Sequence, residues 1–154
     1  MGIYFLGTSA LVKRYIFEPG QAWISSLCNP LQGNGLYLAQ VTRVEAVATI
    51  CRKAREKHIT IAERDRLIDT FRLDSQESYN IWPVNNQIYD AAGDLCRTHP
   101  LRAYDAVQLA CVLALRTFSQ LNQVAEPTFI SADARLLEIA ISEKLKVENP
   151  NNYA

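Results

Sequence analysis

Short apolar runs rich in strand-forming residues alternate with helical stretches along this chain, and no other feature limits its fold as much. The runs are Ile3–Leu6, Leu36–Ala39, Tyr79–Val84, Pro127–Ser131 and, more weakly, Lys146–Glu148. Helical patterns fill the intervals over about 9–17, 21–28, 42–57, 60–73, 87–97, 103–118 and 132–144. Parallel strands need a crossover of about a dozen residues or more, usually a helix. The expectation is therefore an α/β domain with a mostly parallel central sheet of roughly four to five strands flanked by helices. Gly7, Pro19-Gly20, Asn29-Pro30 and Gly33-Asn34-Gly35 punctuate the elements. Pro83 consigns its strand to an edge or an early end. Thr42 with Glu45, and Thr60 with Glu63, have the spacing of capping boxes.

The 154 residues suit one domain. Without a repeat, a linker or a low-complexity tract, that domain is expected over 1–150, with 151–154 as a short tail. No apolar run approaches the roughly 20 residues of a membrane span. The start lacks a basic leader, so a cytoplasmic protein is expected. Cys28, Cys51, Cys96 and Cys111 form no CxxC pair, which argues for reduced thiols and against zinc. A formal net charge of zero gives no bulk signal for nucleic acid. The basic stretch Arg52–Lys57 reads as a solvated helix end.

Ligands of open parallel sheets bind beyond the carboxyl ends of the strands. Three acids can converge on that end of the sheet. Glu45 lies in the helix after the second strand, Asp105 in the first turn of an almost wholly apolar helix, and Asp133 just past the fourth strand. Each has an ordinary role open to it as a cap or a complement to a helix dipole. Together, in a semi-buried place, they would repel one another unless a cation bound. All are oxygen donors, and His58 and His99 lie elsewhere, so the ion expected is Mg²⁺ or Mn²⁺. Glycine-rich phosphate loops and a GxSxG elbow are absent.

The segments around these acids carry a resemblance. Phe5-Leu6-Gly7-Thr8-Ser9-Ala10-Leu11 resembles the opening of PIN-domain proteins, usually Asp-Thr-Ser-Ala-Leu, and Glu18-Pro19-Gly20 resembles the Glu-x-Gly that follows. Thr42-Arg43-Val44-Glu45-Ala46 is similar to the segment of the second acid. Leu101–Ala110 is similar to that of the third, and Phe129–Leu137 to that of the fourth. Four motifs in order across nearly the whole chain are most similar to VapC-type toxins of toxin–antitoxin pairs. The resemblance implies a Mg²⁺-dependent endoribonuclease acting on RNA, with Glu45, Asp105 and Asp133 as acids and Ser131 as a polar neighbour. It also implies a cognate antitoxin and a homodimer.

Gly7 stands where the family has its first Asp. The expected consequence is weakened or lost activity. The alternative is a non-catalytic module of the same fold that binds RNA or protein.

Overall fold

The computed structural model describes residues 1–154. Five strands, β1 (Ile3–Leu6), β2 (Gly35–Ala39), β3 (Asn80–Trp82), β4 (Thr128–Ile130) and β5 (Lys146–Glu148), form one sheet. Their order is β3-β2-β1-β4-β5, and every pairing is parallel. The chain lays strands outward from β1 on one side and then returns to its other side. Its topological switch point therefore lies between β1 and β4, where an open α/β sheet leaves a crevice.

Both faces of the sheet are covered, so successive strand residues enter different cores. Phe5, Ala39 and Phe129 join one cluster with Leu109, Leu136 and Leu137. Leu6, Leu38 and Ile130 join the other with Leu11, Ala46 and Phe71. Complete burial of side chains such as Phe5 and Leu6 contributes about 1.5–3 kcal/mol each before entropy is counted. The first cluster is roofed by α5 (Asn86–Thr98), α6 (Ala103–Leu121) and α7 (Ala134–Ser142). The second is roofed by α1 (Thr8–Leu11), α2 (Gln21–Leu27), α3 (Thr42–Arg55) and α4 (Ile61–Glu77).

Helix 9–17 of the sequence reading is corrected. It is a four-residue α1 followed by a 3-10 turn over Val12–Arg14. The tighter turn brings Arg14 and Tyr15 under α4 and β3. There Tyr15 Oη donates to Asp74 Oδ2 at 2.7 Å and lies 2.6 Å from Tyr79 Oη, which also accepts from Arg14 Nη1 at 2.6 Å. Burial, then the neighbouring Tyr79, pushes the Tyr15 phenol well above its ordinary value.

The two predicted capping boxes part company. Thr60 and Glu63 form theirs, with both reciprocal bonds present. Thr42 does not: the N-cap of α3 is Val41, without a side-chain bond. β3 is an edge strand that stops just before Pro83, as proline requires. At the other end Tyr153 stacks on Trp23, with ring centroids 4.2 Å apart. No helix is long and apolar enough to cross a membrane.

Candidate functional site

Gly7 ends β1 and caps α1 with extended backbone, φ −66° and ψ 157°. Any residue adopts such angles, so the turn does not require glycine. A Cβ here would sit 3.2 Å from the Ile130 carbonyl oxygen and 3.3 Å from the Phe129 ring. A side chain therefore fits only if β4 yields by a few tenths of an ångström. The Gly7 amide already donates to that same Ile130 carbonyl at 2.9 Å, which locks β1 to β4 at the switch point.

Glu45 projects from the first turn of α3. Its Oε1 accepts from Thr8 Oγ1 at 2.9 Å and from Gln108 Nε2 at 2.8 Å. The Gln108 amide also contacts Thr42 Oγ1 at 2.7 Å and Thr8 Oγ1 at 3.2 Å, so its two hydrogens are shared among three acceptors. Its Oε1 is buried without a partner. Reversing the amide would set that oxygen against the Glu45 carboxylate, which explains the orientation. The sequence reading missed Thr8, Thr42 and Gln108. The available signal was a lone amide within the apolar run Asp105–Val112, one turn after Asp105.

Ser131 is buried directly after β4. Its Oγ accepts from the Asp133 amide at 3.0 Å and lies 3.3 Å from Ser9 Oγ, which in turn accepts from the Ala132 amide at 3.0 Å. Two serines thus shape the loop that carries Asp133. Asp133 is the N-cap of α7, and its Oδ1 accepts from the Arg135 and Leu136 amides at 3.0 and 3.2 Å. It is solvent-exposed rather than semi-buried.

Asp105 is partly buried in the first turn of α6 and accepts no hydrogen bond through its carboxylate. Its carboxyl is held above the ordinary carboxylate range by burial first, then by Asp133 and by Glu45, with Arg102 acting oppositely. Glu45, Asp105 and Asp133, from three separate elements, thus share one electrostatic neighbourhood. No three acidic, histidine or cysteine side chains are close enough together to ligate a single ion. The donor chemistry still suits a hard cation. Mg²⁺ commonly takes one or two protein carboxylates and keeps several waters, and Asp105 is a desolvated carboxylate with acidic neighbours and no protein donor.

A spacious cleft lies elsewhere. It is an apolar hollow of about 600 Å³ between α5 and α6, lined by residues including Trp82, Ile88, Leu95 and Leu113. It shares no residue with the acidic cluster.

Searches against family models and curated proteins return no match. Solved structures do share the fold. The structure of VapBC2 from Rickettsia felis, bound to a DNA fragment from their promoter, aligns with a TM-score of 0.61 at 13% identity, covering 96% of this chain and 98% of that one. PAE2754 from Pyrobaculum aerophilum aligns with a TM-score of 0.63 at 15% identity, covering 98% of this chain and 85% of that one. FitAcB from Neisseria gonorrhoeae aligns with a TM-score of 0.55 at 18% identity, covering 96% and 97%. The fold expected from the sequence is therefore the one observed, an α/β PIN-like domain.

Proposed function

We propose that this PIN-like chain is a divalent-metal-dependent endoribonuclease of toxin type, weakened by glycine at position 7. The observation that carries this reading is the Asp105 carboxylate. It is partly buried, has no protein hydrogen-bond donor, and faces Asp133 and Glu45 closely enough that both disfavour its charge. A protein tolerates such an arrangement at a cost, and a bound cation removes the cost. The position at the switch point of a parallel sheet is where this fold class binds ligands.

Asp105 and Glu45 would supply carboxylate oxygens to Mg²⁺ or Mn²⁺, with Asp133 at the outer edge. When bound, such an ion supplies positive charge beside a phosphodiester and lowers the pKa of a water. The chain's own residues do the positioning. Thr8 and Gln108 fix the Glu45 carboxylate through two hydrogen bonds to Oε1. Ser131 and Ser9 fix the loop bearing Asp133. Position 7 contributes no oxygen, so one side of the site lacks the charge that the resemblance calls for. A surviving ~1.4 kcal/mol of lost attraction would lower metal affinity about tenfold.

By the same resemblance the chain forms a homodimer and is held in check by a small cognate antitoxin, and the cytoplasm is the compartment proposed for it. The matches to VapBC2 and FitAcB support that partner. The test is cleavage of a varied RNA pool with Mn²⁺ or Mg²⁺ and an EDTA control, comparing this chain with Gly7→Asp and with Gly7→Asp carrying Asp105→Asn. Cutting is expected from Gly7→Asp, weakly or not at all from this chain, and from neither once Asp105 is neutralised. If Asp105→Asn cuts as well as its parent, the site assignment is wrong. RNA binding without cutting by any form, unaffected by EDTA, would favour the non-catalytic module.

A further inference from the structure

Beside the acids, between the first turns of α6 and α7, lies a cleft of about 380 Å³. Its charged lining is the carboxylates Asp105, Asp133 and Glu138 together with Arg102 and Arg135. Both arginines are exposed, and neither takes part in an ion pair with any carboxylate. Were they present merely to neutralise the acids, they would be expected to pair with them. Instead Arg102 stands near enough to Asp105 to ease its ionisation while leaving its own donors free. Each guanidinium offers planar donors that match two phosphate oxygens.

We propose that this cleft is a phosphate-backbone subsite for an RNA strand, gripped by Arg102 and Arg135 immediately beside Asp105 and Asp133. The choice of RNA rests on the nuclease reading above; the grip itself rests on the two free arginines. The neighbouring carboxylates disfavour a small free dianion in the same cleft. A phosphodiester carries one charge per unit and is anchored through its neighbours along the strand, so it tolerates them better. This gives the chain, whose net charge is zero, a local rather than a global means of holding a polyanion.

The test is anisotropy of an end-labelled, mixed-sequence single-stranded RNA in EDTA, so that nothing is cut, over salt from about 50 to 200 mM. Arg102→Gln and Arg135→Gln are each expected to weaken binding about tenfold. Each should also flatten the slope of log affinity against log salt by about 0.7. Arg102→Lys and Arg135→Lys should keep most of the slope, and Arg97→Gln, at the exposed end of α5, should change neither quantity. Unchanged affinity and slope in both glutamine variants overturns the subsite, as does an unaltered chain that holds no RNA. Tighter holding of a DNA strand of the same sequence overturns the assignment to RNA. Flattened slopes without cutting by Gly7→Asp would keep the subsite and discard the nuclease. Cutting that requires Asp105, with slopes unmoved in the arginine variants, would do the reverse.

Discussion

The Gln108 amide nitrogen lies 2.8 Å from Glu45 Oε1 and 2.7 Å from Thr42 Oγ1, so α6 holds the first turn of α3 through a single side chain. Gln108 is 3% exposed, and Thr8 is the other side chain that bonds both of these groups. Gln108→Leu is expected to leave Thr42 and Glu45 short of a donor and to cost about 1–3 kcal/mol in urea unfolding. A variant as stable as the parent would mean that water replaces the amide.

Asp133 has two separable roles, and two substitutions divide them. Asp133→Asn keeps an oxygen for the Arg135 and Leu136 amides but removes the charge. Asp133→Ala removes both and should cost about 1 kcal/mol as a lost cap. Both variants should lose RNA cleavage in the Gly7→Asp background, while only the alanine form loses stability. Retained cleavage by the asparagine form would leave Asp133 as a cap alone.

The raised carboxyl of Asp105 makes stability depend on pH. The folded state holds this proton more tightly than the unfolded chain, so ionisation is linked to lost stability as pH rises from the unfolded value near 3.9 through the folded one. Asp105→Asn should therefore raise stability at pH 7 in the absence of metal, and the gain should shrink as pH falls through the folded value and be largely gone below about pH 4. Denaturation at the two pH values, in EDTA, measures it. A variant less stable than the parent at pH 7 would contradict the assigned cause.

Gly7→Asp places a carboxylate beside groups that already repel Asp105. Without metal it should lower the melting temperature, despite a new N-cap for α1 worth only a few tenths of a kcal/mol over glycine. Mn²⁺ should recover that loss and stabilise Gly7→Asp more than this chain, by mass action on the folded state. Equal Mn²⁺ shifts in the two would show that position 7 does not touch the ion.

The tyrosine pair away from the site makes a structural test. Tyr15→Phe removes the 2.7 Å bond to Asp74 and the 2.6 Å contact with Tyr79. The expected cost is about 1–2 kcal/mol of unfolding free energy, with RNA binding unchanged. Altered RNA binding would mean that the turn after α1 reaches the site.

The alternation of apolar runs and helical patterns was sufficient for most of the elements and for a mostly parallel sheet, because helical crossovers join parallel strands. It also singled out Glu45 and Asp133, which follow β2 and β4, and Asp105 in the first turn of its own helix. Strand order was not legible: that β1 sits at the centre follows from how the helices pack, which no local pattern encodes. Nor was the shape of the segment after β1, where the chain tightens to bring Tyr15 to Asp74 and Tyr79.

The two threonines show the division most clearly. Thr60 with Glu63 and Thr42 with Glu45 have the same spacing, and only the first pair caps its helix. At Thr60 the helix start is exposed, with no rival partner, so the local pattern decides. At Thr42 the hydroxyl is buried against Gln108, and Glu45 turns to Thr8 and Gln108, residues 37 and 63 positions away. The sequence determined which groups were available to bond. The tertiary structure decided the partners, because a buried donor left unpaired costs more than a surface cap returns.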